Sequence, residues 1–163
     1  KALERAALAG VAGVIEDHKG RARETFEDAV DAALRAHDVE VVVLAGFMRV
    51  LTAHFLERWQ HRVLNVHPAL CPAFPGIHAP RHALAHGARV TGCTVHLVDA
   101  GVDTGPILAQ AAVPILDDDD EAALTARIQA EEHRLFPAVL TALARGQVQL
   151  VDGRPRGFGL TST

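Results

Sequence analysis

The chain has 163 residues, enough for one domain with its own hydrophobic core. Hydrophobic residues make up 49% of it and charged residues 22%, which is typical of a globular protein. The net charge of −4 argues against recruitment of nucleic acid by a bulk positive field, and no apolar run approaches the ~20 residues that a membrane span needs.

The first part of the chain alternates between helical and extended patterns. Residues 1–9 have helical character and stop before Gly10, and the lack of an initiator Met predicts that the chain begins inside a larger protein. Residues 23–37 repeat apolar side chains at helical spacing. Residues 39–45, VEVVVLA, are almost all apolar and β-branched, which is typical of a parallel strand covered on both faces.

The middle of the chain combines short elements with a proline-rich connection. Thr52 is predicted to cap a short helix that ends at Trp59, and a strand is predicted over residues 62–66. The prolines between residues 68 and 76 predict a shaped loop, because proline disrupts both central strands and helix interiors. Pro80 then opens a short helix.

The last third of the chain predicts two strands and a long helix. The strands are expected over residues 90–98 and 107–116. The acidic run at 117–120 favours the N-terminus of a helix that continues to Ala144, and a final short strand is predicted over 148–151. The buried stripe of the helix is expected to consist of Leu124, Ile128, Leu135, Val139 and Leu143.

This alternation predicts one α/β domain. Its core is a Rossmann-like, mainly parallel twisted sheet with helices on both faces. The domain is expected to cover residues 1–153, whereas residues 154–163 are expected to form a flexible tail. Since ligands bind beyond the carboxyl ends of parallel strands, the loops after Ala45, Val66 and Val98 are the expected binding edge.

Three polar residues on those loops suggest acyl-transfer chemistry. Asn65 and His67 are two residues apart on one strand, so their side chains point to the same face. An amide and an imidazole side by side can stabilise an oxyanion, and Asp103 on the next loop would favour the charged, donating form of His67. Each residue alone is also common in structural turns. Their shared position at the expected ligand edge favours an acyl- or formyl-transfer site.

Two further features of the sequence raise questions about binding. Glu132 continues the apolar stripe of the long helix, where a buried carboxylate is costly unless it is paired. It either lies at the boundary of the buried face or receives an amine or hydroxyl group of a substrate. His78, His82 and His86 are spaced by four residues, but no cysteine or carboxylate joins them nearby, so no metal site is predicted.

Four stretches resemble the folate-dependent phosphoribosylglycinamide formyltransferase family. They are LAGFMRVL at 44–51, LNVHPALCPAFPG at 64–76, TGCTVHLVDAGVDTGPILAQ at 91–110 and IQAEEH at 128–133. The resemblance continues to about Gly153. That family opens with a strand and a Gly-rich loop that holds the substrate phosphate. The resemblance therefore implies an N-terminally truncated formyltransferase domain that lacks its first strand and helix.

The resemblance also implies an activity. The formyl group of 10-formyltetrahydrofolate, the co-substrate, would pass to the amine of glycinamide ribonucleotide in de novo purine biosynthesis, without a metal. The implied catalytic residues are Asn65, His67 and Asp103. The implied folate contacts are Met48, Arg49, Val50, Leu51, Val98, Val102 and Asp103. The implied contacts to the ribonucleotide are Asn65, His78, Gln129 and Glu132.

Other functions remain open on the same residues. A formyltetrahydrofolate deformylase would use the same trio to hydrolyse the folate, and a non-catalytic module would bind folate without turnover. A methionyl-tRNA formyltransferase would need a basic surface and an RNA-binding domain. The expected partners are small molecules, with neither nucleic acid nor membrane. The expected state is a cytoplasmic monomer or homodimer in which Cys71 and Cys93 are reduced.

Overall fold

The computed structural model describes residues 1–151 and 154–156, and its centre is a four-stranded sheet. The strands are β1 (Val42–Val43), β2 (Val63–His67), β3 (Val90–Leu97) and β4 (Ile107–Pro114), and they neighbour one another in that order. β1 and β2 are parallel, whereas β3 is antiparallel to both β2 and β4.

Helices and a small hairpin complete the described chain. The helices are α1 (Ala2–Leu8), α2 (Arg23–Ala36), α3 (Ala53–Arg58), α4 (Ala79–Ala85) and α5 (Glu121–Ala144). After α5, β5 (Gln149–Val151) pairs antiparallel with β6 (Arg154–Arg156). No helix of the described ranges combines the length and the apolar character that crossing a bilayer requires.

The core lies on both faces of the sheet. Leu64 and the odd-numbered side chains of β3 pack on one face against α5. Val63 turns to the other face, because neighbouring residues of a strand alternate, and it packs there against Phe55 of α3 and Trp59 at the end of that helix. The prediction of helices on both faces is therefore confirmed. The predicted stripe of α5 is buried at Leu124, Ile128, Leu135 and Val139, while Leu143 is half-buried.

The α/β, Rossmann-like fold class is confirmed, but the described sheet is mixed rather than mainly parallel. A parallel connection needs a crossover of a dozen residues or more. The loop between β3 and β4 is too short for such a crossover and carries no helix, so β4 returns antiparallel. Strand direction is not visible in the apolar pattern of a single strand, which is why the sequence did not reveal it.

β1 also differs from its prediction. It is two residues long, and Val41 and Val43 are each 40% exposed, although the sequence pattern predicted burial on both faces. The reason is that β1 has a strand partner on only one side within the described residues, so that its outer side is not covered.

The helices begin and end within one or two residues of their predicted bounds, but one of the two predicted N-caps is not formed by its side chain. Asp120 caps α5, since its carboxylate accepts a hydrogen bond of 2.7 Å from the amide of Ala123. Thr52 stands at the predicted N-cap of α3, but its side chain makes no capping bond there and instead donates to Glu27.

The first three residues of the segment expected to be a flexible tail are part of a hairpin. Residues 154–156 form β6, because the chain folds back and pairs with β5. The remainder of the predicted tail, residues 157–163, lies outside the described residues.

Candidate active site

A cleft with a volume of about 410 Å³ opens over one face of the sheet. This volume lies within the range of small-molecule sites. Its walls come from segments that are far apart in the sequence: residues 46–51 after β1, residues 65–68 at the end of β2, residues 76–78, the loop after β3, and Glu132 of α5. The cleft therefore depends on the tertiary fold rather than on any one loop.

Asn65, His67 and Asp103 meet in this cleft. Asn65 and His67 project from the same face of β2, as their spacing predicted. Asp103 lies between them: its Oδ1 is 3.4 Å from Asn65 Nδ2, and its Oδ2 is 3.2 Å from His67 Nδ1. The structure thus brings together an amide donor, an imidazole and a carboxylate, a combination that can stabilise an oxyanion and move a proton in acyl transfer to an amine.

Asp103 reaches this position by a different route from the one the sequence suggested. Because β3 is antiparallel to β2, the amide of Val98 bonds the carbonyl of Val63, at the amino end of β2. The loop then folds back over the sheet face, and Asp103 Oδ2 accepts a 2.8 Å hydrogen bond from the amide of Gly76. Gly105 permits the return, because a Cβ there would overlap the carbonyl oxygen of Leu97.

The ring of His67 is held at both nitrogens. Its side chain is only 3% exposed; Nε2 lies 2.8 Å from the carbonyl oxygen of Phe74, and Nδ1 faces Asp103. A neutral imidazole can donate from one nitrogen only, whereas both partners here are acceptors. Nε2 therefore anchors the ring at the Phe74 carbonyl, and Nδ1 is the nitrogen turned to the carboxylate in the cleft.

His96 is the site residue that the sequence did not single out. It pairs with Asn65 across β2 and β3 and is 2% exposed. Its Nε2 lies 3.3 Å from Asn65 Nδ2 and 3.4 Å from Asp103 Oδ1. The available signal was an ionisable side chain inside the otherwise uncharged strand predicted over residues 90–98. A buried group of that kind needs polar partners.

Three of the five non-glycine residues with positive φ in the described chain lie at or beside the cleft. Phe74, His78 and Asp103 have φ values of +52°, +61° and +54°, in the left-handed region that residues other than glycine seldom adopt. The carbonyl of Phe74 contacts His67, whereas His78 and Asp103 line the cleft. Strained backbone that clusters in this way is typical of sites where side-chain placement matters more than stability.

The rim of the cleft is unusually apolar. Met48 is 77% exposed, Val50 48%, Ile77 60% and Val102 48%, and all four line the opening. Apolar side chains gathered around a pocket indicate a ligand with a flat or apolar part. The residues for which the resemblance implied folate contacts all line this cleft: Met48, Arg49, Val50, Leu51, Val98, Val102 and Asp103.

The residues implied for the ribonucleotide are only partly brought together. Asn65, His78 and Glu132 line the cleft, and Glu132 also borders an adjoining cavity of about 480 Å³. Gln129 does not: it is exposed on α5 and lines neither cavity. The cause is helix geometry, since Ile128 faces the core at that turn and the next residue points about 100° away.

Glu132 is a half-buried carboxylate without a hydrogen-bond partner among the described residues. Burial raises the pKa of its carboxyl group above the ordinary value of 4.5, and the neighbouring His133 offsets only part of the rise. An acid whose pKa is raised in the folded state destabilises that state once it ionises. The ionised carboxylate of Glu132 therefore lowers the free energy of unfolding at neutral pH, as groups positioned to bind a ligand often do.

We expect Glu132→Gln to raise the melting temperature at pH 7.5. The gain should shrink as the pH falls, and it should vanish below about 4.5, where the carboxyl group of the wild type is protonated in both the folded and the unfolded state. Thermal denaturation of both proteins between pH 4 and 8 measures the difference. A gain that is constant across this range would contradict the assignment of the cost to ionisation.

These features define the class of protein. A family model described as Formyl transferase matches residues 2–140, and the chain belongs to that family. It is similar to phosphoribosylglycinamide formyltransferase of Mycobacterium tuberculosis (strain CDC 1551 / Oshkosh), with 53% identity over 145 residues, or 89% of this chain and 66% of that protein. The resemblance seen in the sequence motifs is thereby confirmed.

Two further relatives agree with this placement. The crystal structure of glycinamide ribonucleotide transformylase 1 from Symbiobacterium toebii superimposes with a TM-score of 0.91 at 46% identity, covering 96% of this chain and 74% of that one. The trifunctional purine biosynthetic protein adenosine-3 of Drosophila melanogaster is 49% identical over 145 residues, which are 88% of this chain and 11% of that protein. The chain thus spans only part of the length of the proteins it matches.

Proposed function

We propose that this protein transfers a formyl group from 10-formyltetrahydrofolate to the amine of glycinamide ribonucleotide. The observation that carries the proposal is the meeting of Asn65, His67 and Asp103 in a cleft with an apolar rim. Family membership and the names of the most similar relatives support the choice of donor and acceptor. A cytoplasmic location and small-molecule partners belong to the same proposal.

The proposed reaction is a direct transfer. The substrate amine attacks the formyl carbon, a new carbon–nitrogen bond forms, and the bond from the formyl carbon to N10 of the folate breaks. Asn65 Nδ2 and His67 Nδ1–H donate to the oxygen that becomes anionic. Since His67 Nε2 is bound to the Phe74 carbonyl, Nδ1 is the nitrogen available for this role. Asp103 takes a proton from the attacking amine and passes one to the leaving N10.

The two ends of the cleft take different parts of the reactants in this proposal. The folate ring lies along the apolar rim that includes Met48, Val50 and Val102. The ribonucleotide lies toward Glu132 and His78, where the half-buried carboxylate accepts hydrogen bonds from its hydroxyl or amine groups. Gln129 is not part of the proposed site.

The deciding experiment mixes the full-length protein with 10-formyltetrahydrofolate, with and without glycinamide ribonucleotide. Release of tetrahydrofolate only when the ribonucleotide is present supports the transferase. Release of formate without it would instead identify a deformylase, and folate binding without any turnover would identify a passive binding module. The spectroscopic change of the folate on loss of its formyl group provides the readout.

Glu132→Gln should also weaken binding of the ribonucleotide. Loss of a hydrogen bond to a charged group corresponds to roughly a tenfold or greater loss of affinity. Isothermal titration with glycinamide ribonucleotide measures it, and the affinity for the folate should stay at the wild-type value. An unchanged affinity for the ribonucleotide would remove Glu132 from the substrate site.

A further inference from the structure

The segment after β1, residues 46–51, forms one wall of the cleft although it has no regular secondary structure. Within the described residues, no backbone-to-backbone hydrogen bond holds it. Apolar packing of Phe47 and Leu51 against the α2–α3 side of the core supplies part of its anchorage. A wall that is to receive a ligand at a defined place needs more than that, because apolar contacts are non-directional.

Helix α2 supplies two directional contacts to this segment. The guanidinium group of Arg49 lies over the ring of Phe26, 5.2 Å from its centroid. The carboxylate of Glu27 accepts a 2.9 Å hydrogen bond from the amide of Thr52 and a second, short one from its hydroxyl group. Phe26 and Glu27 are adjacent in the sequence and are 6% and 2% exposed.

The Glu27 contact is the more restrictive of the two. A carboxylate at this depth is costly unless both oxygens are bonded, and here each oxygen is bonded to Thr52. The hydroxyl of Thr52 is used for this contact and so does not cap α3. Thr52 directly follows the cleft wall, and its amide and its hydroxyl group are both fixed to α2, which is not itself part of the cleft.

We propose that Phe26 and Glu27 are positioning residues that set the backbone of residues 46–51 for the folate side of the cleft. The proposal rests on the proposed function, because it assigns that wall to the folate. Glu132 and His78, which face the ribonucleotide, belong to other segments. Loosening the wall should therefore weaken binding of the folate and leave binding of the ribonucleotide unchanged.

The test compares Glu27→Gln and Thr52→Val with a matched control on the same helix. Asp31 is also a buried carboxylate of α2, one turn further on, but it bonds the indole of Trp59 (2.8 Å) and Arg35 rather than the cleft wall. Asp31→Asn should lower thermal stability without affecting the wall. Thr52→Ser keeps the hydroxyl group and should behave as wild type.

Two measurements on the full-length protein give the readout. Hydrogen–deuterium exchange of the unliganded protein should accelerate over residues 46–52 in Glu27→Gln and Thr52→Val only. Steady-state kinetics should show a KM for 10-formyltetrahydrofolate about tenfold higher, with the KM for glycinamide ribonucleotide unchanged. The conservative Thr52→Ser variant should restore both values.

Unchanged exchange in Glu27→Gln and Thr52→Val would overturn the proposal, and so would an equal effect of Asp31→Asn, which would indicate general loosening. If Glu27→Gln does not fold, Thr52→Val decides the question alone. If the wild type does not bind 10-formyltetrahydrofolate, the proposed function fails, while the exchange data on the unliganded protein still decide whether α2 positions the wall.

Discussion

His67→Ala is expected to lower kcat by about 10²- to 10⁴-fold, the range that a positioned acid or base contributes. The ring is buried, Nε2 lies against the Phe74 carbonyl, and Nδ1 faces Asp103 on the side where the proposed reaction places the formyl oxygen. Binding of 10-formyltetrahydrofolate should survive, because the apolar rim is untouched. Single-turnover kinetics together with a fluorescence titration of the folate separate the two quantities.

The control for this variant is His82→Ala. His82 is exposed on α4 and does not line the cleft, so its removal should leave turnover at the wild-type level. Wild-type turnover in His67→Ala would remove the residue from the mechanism. A loss of folate binding as large as the loss of turnover would instead indicate that His67 maintains the shape of the cleft.

Asp103→Asn is expected to lower kcat by a similar factor, and the effects of Asp103→Asn and His67→Ala on kcat should not multiply. Asp103 bonds His67 and Asn65 and accepts the amide of Gly76, so it acts together with the ring rather than separately. Residues that act as one unit give strongly non-additive effects. The double variant with His67→Ala should therefore be no slower than the slower single variant, within about threefold.

The control for this double variant combines Asp103→Asn with His82→Ala. The effects of these two substitutions on kcat should simply multiply. If the His67 and Asp103 losses also multiply, the two side chains work independently, which would contradict the assignment of imidazole and carboxylate to one catalytic unit. Circular dichroism of each variant checks that the loop remains folded.

Much of the fold could be predicted from local pattern. The stripe of α5, its acidic N-cap and the helix opened by Pro80 follow from helical spacing and capping chemistry, which act over a few residues. The direction of β3 could not be predicted, because an apolar strand has the same pattern in either direction. β1 was misjudged because burial depends on neighbouring strands, which lie elsewhere in the chain.

For the site, too, local spacing could be predicted from the sequence, whereas tertiary placement could not. The spacing of Asn65 and His67 placed them on one face, since alternation along a strand is local. That Asp103 would fold back over the sheet depends on a loop path that no periodicity encodes, and its pairing with His67 came from family resemblance. His96 was missed, and Gln129 was expected at the cleft but is exposed outside it, for a related reason: the strand register and the helix rotation decide which side chains face the cleft.

One loop carries both Val102, on the apolar rim, and Asp103, beside the imidazole. In the proposed site, a co-substrate packed against Val102 would restrain Asp103 through the peptide bond that joins them, which would couple affinity to the rate of the chemical step. Folate analogues that differ only in the ring seated there should consequently differ in maximal velocity as well as in occupancy. Inhibitors built to fill that position would act on the carboxylate without touching it.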